Sequence, residues 1–220
     1  MKPIEQESIA EQVRLTLRRE IELGHLEPGS RIFEDALAQK LGTSKMPIRL
    51  ALHQLKQDGL VRIEPRKGTY VAIPSPDEIP HLLDIREVLE GLAARSAATH
   101  ADKNEIAALK ACFGAFSEAD LDDRSIEYAS ADHRFHTLLV AASGNKELIK
   151  SLDLITIRLH MYRLRRALAH QQNLVPIHRD HLRIIDAIES RDGVLAEHLV
   201  RAHVRSIPWR TVVDADETAA

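Results

Sequence analysis

Leu37-Ala38-Gln39-Lys40-Leu41-Gly42-Thr43-Ser44-Lys45-Met46-Pro47-Ile48-Arg49-Leu50-Ala51-Leu52 reads as a short helix, a tight turn and the start of a second helix. Leu37 and Leu41 put an inward edge on the first, over about 34–41. Ile48, Leu52 and Leu55 put another on the second, over about 45–58. Gly42 stops the first helix, Thr43 or Ser44 caps the second, and Gly59 ends it. Two helices joined this closely form a helix-turn-helix, whose second helix enters the major groove with its N-terminal residues on the base edges.

Working outward, residues 8–23 carry Ile9, Val13, Leu17 and Ile21 at a four-residue spacing and read as a helix that Gly24 stops. Leu26-Glu27-Pro28-Gly29-Ser30 is a turn. On the other side, Leu60-Val61-Arg62-Ile63 and Thr69-Tyr70-Val71-Ala72 flank the basic turn Glu64-Pro65-Arg66-Lys67-Gly68, so a two-stranded hairpin is expected. Three helices and a hairpin, in that order, make a winged helix.

Ile73-Pro74-Ser75-Pro76-Asp77 punctuates the chain, because two prolines in three residues fit neither a helix interior nor a central strand. Beyond it helices are expected over about 77–99, 103–118, 122–142, 145–169, 173–190 and 192–209, with no alternating strand pattern. The fold class is therefore mostly α. An N-terminal winged helix-turn-helix over 1–74 precedes an all-α bundle over 77–211 and a short acidic tail, 212–220, expected to be flexible.

Aromatic residues make up only 4% of the 220, so the core must be aliphatic. The single cysteine, Cys112, excludes an intrachain disulfide and fits the cytoplasm. No apolar run of about 18 residues exists to span a membrane, and residues 1–7 lack the apolar core of a signal peptide. The net charge of −3 is no mark of a nucleic-acid binder, but it is uneven. Residues 1–74 hold 12 Lys and Arg against 10 Asp and Glu, and the rest 18 against 23. That leaves room for a DNA-binding N-terminal part.

The candidate DNA-contacting residues follow from position. Ser44, Lys45, Met46, Pro47 and Arg49 begin the second helix of the pair, with Lys45 and Arg49 four apart on one face. Arg grips guanine O6 and N7 bidentately, whereas Lys offers a point charge. The Ser44 hydroxyl and the helix N-terminal amides suit a phosphate. Arg66, Lys67 and Gly68 at the wing tip are placed for the backbone or the minor groove.

In the C-terminal part, Asp132 and His136 are four apart on one helix and point the same way. With His181 and His203 on two later helices they offer one oxygen and three imidazoles to a divalent metal inside a bundle. On spacing alone His133, His160, His170, His178 and His198 remain alternatives among the 12 histidines.

The N-terminal motifs resemble the GntR family of bacterial regulators over residues 8–73: Leu23 to Ile32, Leu37 to Leu52, Asp58-Gly59-Leu60-Val61 and Lys67-Gly68-Thr69-Tyr70-Val71. The match departs where the family usually has Arg (Lys45), Thr (Met46) and Glu (Leu50). It departs again at Asp35, where some members carry a base-contacting Arg, so no base code transfers. Residues 77–209 resemble the FCD effector domain of the family's FadR-like branch. The matching stretches are Asp84 to Glu90 with Ala93-Ala94, Asp132 to His136 with Gly144-Asn145, Asp180 to Ile188, and Arg201 to Val204.

The resemblance implies that Asp132, His136, His181 and His203 hold a divalent metal, zinc before nickel or manganese. It implies a small organic acid effector beside the metal, with Arg86 and Arg163 as candidate partners for its second anionic group. Asn145 reads as a helix cap, and an internal Arg86–Glu90 salt bridge is the alternative for Arg86. A cytoplasmic homodimeric regulator on palindromic operator DNA is the function implied, usually a repressor that its effector releases, with the opposite sign also occurring in the family. The rival, a metal-dependent enzyme acting on a small organic acid, would leave the winged helix idle, and no nucleophile elbow or phosphate-cradling glycine loop supports it.

Overall fold

A computed structural model describes residues 8–168 and 174–207, which divide into two compact units between Ile73 and Pro74. In the first, helix α1 (Ile9–Glu22) is capped by the Ser8 hydroxyl, which accepts from the Glu11 amide at 3.2 Å. Its buried edge is Val13, Leu17 and Ile21, one residue per turn. Helix α2 (Glu34–Lys40) and helix α3 (Lys45–Gln57) follow. Ile48, Ala51, Leu52 and Leu55 of α3 are buried, and α3 packs on α1. Leu37 and Leu41, read as inward, are only half-buried, because α2 contacts α3 on one side and solvent on the other. Gly42, at φ +63°, makes the left-handed turn between the two helices, a conformation glycine adopts without steric cost.

The expected hairpin is present as β2 (Val61–Glu64) and β3 (Gly68–Val71), but the sheet has a third strand. β1 (Arg31–Ile32) pairs antiparallel with β3, Arg31 opposite Tyr70, giving the order β1-β3-β2. Two residues are too few to show a strand period, so β1 was hidden behind the turn that precedes it. Ile32, Leu60, Val61 and Val71 close the core from the sheet side.

The second unit is helical throughout its described residues: α4 (Glu78–His100), α5 (Lys103–Ala111), α6 (Ser125–Ala142), α7 (Lys146–Leu168), α8 (Val175–Glu189) and α9 (Gly193–Ser206). The tail 212–220 and the expected ends at 169, 173 and 209 lie outside the described residues. α4 is the central helix, touching α6, α7, α8 and α9. Gly91, Ala93, Ala94, Ala97 and Ala98 keep it slim and let its neighbours come close. A Cβ at Gly91 would stand 2.8 Å from Arg201 of α9.

The caps are readable in the residues. Asp102 and Glu105 form a capping box on α5, Asn145 accepts from the Glu147 and Leu148 amides at the start of α7, and Asp192 caps α9. α5 ends at Ala111 rather than near 118, and turns occupy the stretch to Arg124. The early stop lets Phe113 and Leu121 enter the core, where both are buried. Phe113 thereby reaches Tyr128, Phe135 and His181.

Candidate metal centre and nucleic-acid interface

The helix-turn-helix presents its expected residues at the surface. Ser44 is the N-cap residue of α3, and its hydroxyl makes no capping bond. Lys45 and Arg49 are exposed, as is Met46 at 66%, while Pro47 is half-buried. The two cations are not bare. Lys45 pairs with Asp35, and Arg49 Nε donates to Glu34 Oε2 at 2.8 Å. At the wing tip Arg66 is exposed with a left-handed φ of 64°, and Lys67 Nζ is 3.9 Å from Glu64. Gly68 has φ +135°, and a Cβ there would meet the Arg31 guanidinium at 3.0 Å. Arg31 is thus a further cation beside the wing. It was missed because it lies in the short strand that the sequence pattern did not reveal.

In the helical unit α6 supplies Asp132 and His136, α8 supplies His181 and α9 supplies His203. The structure brings one ligand-type atom from each to within 4.8 Å of all the others. His181 Nε2 lies 3.4 Å from Asp132 Oδ1 and 3.4 Å from His136 Nε2, and His136 Nε2 lies 3.7 Å from Asp132 Oδ2. All four side chains are buried. Phe113 stacks on His181 with centroids 4.6 Å apart and Phe135 closes in at 4.8 Å, giving the cluster an aromatic wall.

Other polar groups face this cluster. Arg163 pairs with Asp132. Arg86 Nε donates to Glu90 Oε1 at 2.8 Å, and Glu90 Oε2 lies 2.9 Å from His136 Nδ1. The Tyr128 hydroxyl is 3.0 Å from His181 Nδ1, and Asp180 Oδ2 is 3.6 Å from His203 Nδ1. Arg86, named as an effector partner, therefore has its Nε engaged by Glu90, while its Nη2 has no hydrogen-bond partner among the described residues. The alternative histidines lie elsewhere. His133 and His160 stack on each other at 4.3 Å, His178 sits edge-on to Phe113, His198 is exposed, and His170 is outside the described residues.

Burial pushes the His136 imidazole down to about 4, with the Arg86 guanidinium adding to the shift. Burial likewise holds His181 well below the usual imidazole range, helped by neighbouring His203 and His136. Burial alone would raise the Asp132 carboxyl, but Arg163 and the imidazoles bring it below its ordinary value. So at neutral pH Asp132 is ionised and these two imidazoles are neutral, the forms in which the side chains bind metal. Both ring nitrogens of His203 are buried without a hydrogen-bond partner among the described residues. A buried polar atom left unpaired costs about 1–3 kcal/mol. A bound cation would satisfy one of them, and the donor set of one carboxylate and three imidazoles suits such an ion. The residues therefore fit a divalent metal.

The comparisons with known proteins agree with both halves. The model of the gntR family of bacterial regulatory proteins matches residues 9–71, and that of the FCD domain matches residues 81–206. The chain belongs to the GntR family and carries an FCD domain. It is 32% identical over 201 residues to the "Probable D-xylose utilization operon transcriptional repressor" of Paenarthrobacter nicotinovorans, covering 90% of this chain and 86% of that one. It is 29% identical over 225 residues to the Glc operon transcriptional activator of Escherichia coli K12, covering 92% and 89%. Among solved structures, E. coli McbR/YncC superposes with a TM-score of 0.72 at 20% identity, covering 91% of this chain and 95% of that one, a likeness of fold. The GntR regulator is thus a transcription factor by family, not an enzyme. Among its described residues no helix is long and apolar enough to cross a membrane.

Proposed function

We propose that this GntR regulator is a cytoplasmic homodimer that binds a palindromic operator and releases it, as a repressor, when a small organic acid binds beside a divalent metal in the FCD domain. Residues 1–74 are the DNA-reading domain and residues 77–211 the sensing domain. The observation that carries the reading is the convergence of the buried Asp132, His136, His181 and His203, one ligand-type atom of each lying within 4.8 Å of the others. The DNA-reading set is Ser44, Lys45, Met46, Pro47 and Arg49 on α3, with Arg66, Lys67 and Gly68 on the wing.

Asp132 would hold the ion by a carboxylate oxygen, His136 and His181 by Nε2, and His203 by one ring nitrogen. Zinc is the ion of choice for this donor set, with nickel or manganese as substitutes. The bound dication would supply a Lewis-acid centre for a carboxylate of the effector. The charge count around the cluster favours an anion once a dication is bound. Asp132 and Glu90 are balanced by Arg163 and Arg86, the half-exposed Asp180 adds one negative charge, and burial holds His136 and His181 neutral. A dication would leave the buried cluster positive, and an acid would neutralise it. Arg163, and Arg86 through Nη2, are the groups to receive a second anionic group. Regulation then requires only that the acid bind the DNA-free arrangement more tightly than the DNA-bound one.

The experiment is a thermal-shift screen of metal-loaded and chelated protein against small organic acids. A ligand of the native state raises the melting temperature by mass action. A rise for one acid, lost on chelation, supports a metal-centred sensor. No rise with any acid in protein shown to contain metal would leave the metal a structural one and remove the acid from the proposal.

A further inference from the structure

The three imidazoles of the cluster differ in what faces their outer nitrogen. His181 Nδ1 faces the Tyr128 hydroxyl at 3.0 Å, and a hydroxyl both donates and accepts, so it selects no tautomer. His203 Nδ1 lies 3.6 Å from the half-exposed Asp180 carboxylate, beyond hydrogen-bonding distance. His136 is different. Its Nδ1 lies 2.9 Å from Glu90 Oε2, and both side chains are fully buried. The N–H direction is not aligned on that oxygen, so the contact has the length of a hydrogen bond without its full alignment. Neither atom has any other hydrogen-bond partner among the described residues.

Glu90 is itself held in place. Its Oε1 accepts from Arg86 Nε at 2.8 Å, one helical turn away on α4. An ionised carboxylate only accepts hydrogen bonds. A neutral imidazole has one N–H, and beside this acceptor the proton belongs on Nδ1. The Nε2 lone pair is then left facing Asp132 and His181, at 3.7 and 3.4 Å. α4 supplies no ligand-type atom to the cluster, yet through Glu90 it reaches one of the ligands.

We propose that Glu90, braced by Arg86, is the positioning residue of the metal centre: it fixes His136 in the Nδ1–H form, presents Nε2 as the ligand, and so sets the metal affinity of the cluster. The proposal rests on the metal reading above. Outer-shell carboxylates on metal-binding histidines fix the tautomer and raise ligand basicity, and losing one costs about 10- to 100-fold in affinity.

The test is zinc affinity of the full chain, measured by competition with a chelating indicator, for wild type, Glu90→Gln, Glu90→Ala and Tyr128→Phe. Glu90→Ala is expected to lose about 10- to 100-fold. Glu90→Gln keeps an accepting oxygen and is expected to lose less than Glu90→Ala. Tyr128→Phe is expected to lose less than Glu90→Ala, since the hydroxyl selects no tautomer. Because Glu90→Ala strands the buried Arg86 charge, the double variant Arg86→Met/Glu90→Met removes both charges together and is expected to show the same loss with wild-type helical content. A second readout needs no variant: nitrogen NMR of the zinc-loaded wild type should find His136 protonated at Nδ1 and zinc-bound at Nε2. Zinc on Nδ1 of His136, or wild-type affinity in the folded double variant, would overturn the role of Glu90 while leaving the metal centre standing. A wild-type chain that binds no divalent metal would overturn the metal reading and this proposal with it.

Discussion

Arg49 Nε donates to Glu34 Oε2 at 2.8 Å across the turn that joins α2 to α3. The residue proposed to read a base is therefore held by a carboxylate of its own domain, and Lys45 is held in the same way by Asp35. Both pairs are exposed and weak, so DNA can replace them. Arg49→Ala should weaken operator binding by about tenfold or more while sparing non-specific binding. Glu34→Gln should act in the opposite direction, tightening binding a few-fold at low salt, with the gain fading as salt screens the pair. Fluorescence anisotropy over a salt series measures both. An unchanged affinity for Arg49→Ala would remove that residue from the interface.

His181 sits at the centre of the candidate metal site, within 3.4 Å of both Asp132 and His136. His181→Ala should lower the metal content of purified protein to well below one ion per chain and abolish any stabilisation by added zinc. Operator binding by the winged helix should persist. Elemental analysis and a melting curve with and without chelator decide it. Stoichiometric metal in the variant would show that the ligand set is wrong.

The two units differ in how far their residues announced them. The α1–α3 core was legible because Val13, Leu17, Ile21, Ile48, Leu52 and Leu55 recur at the helical period, and all are buried. β1 was not, since two residues carry no period. The end of α5 lies earlier than the apolar pattern of residues 112–118 suggests, and Gly114 is the one stop signal in that stretch. The turn that follows α5 carries Phe113 into the core, where it is buried. In the site, the four-residue spacing of Asp132 and His136 was visible. The approach of His181 and His203 is tertiary, and spacing left five other histidines open until the family resemblance chose among them. Glu90 was seen only as a helical neighbour of Arg86, because its contact with His136 joins two different helices.

Leu52 tests the independence of the two units. It is 1% exposed on α3, in a core that a unit of this size cannot afford to thin. Leu52→Ala should cost about 2–5 kcal/mol, the usual price of a buried leucine truncated in a core that relaxes only partly. Denaturant unfolding followed by circular dichroism should show an earlier transition for the N-terminal unit and loss of operator binding. Metal content should be unchanged. Loss of metal in the same variant would mean that the FCD unit depends on the winged helix for its own folding.

The wing tip sets stability against recognition at one residue. Arg66 has φ 64°, a left-handed conformation that costs a non-glycine L-residue about 1–2 kcal/mol. The side chain is exposed, so packing does not explain it. Glycine would remove the strain but would lose more chain entropy on folding, so Arg66→Gly should stabilise the N-terminal unit by up to about 1 kcal/mol. Arg66→Ala keeps most of the strain and should leave stability near wild type. Both variants lose the charge. If the guanidinium meets a DNA phosphate, both should weaken binding evenly across sequences and make the slope of log affinity against log salt shallower by about one. A stabilised Arg66→Gly with a wild-type salt slope would show that the strained turn serves the shape of the wing and that its arginine does not touch DNA.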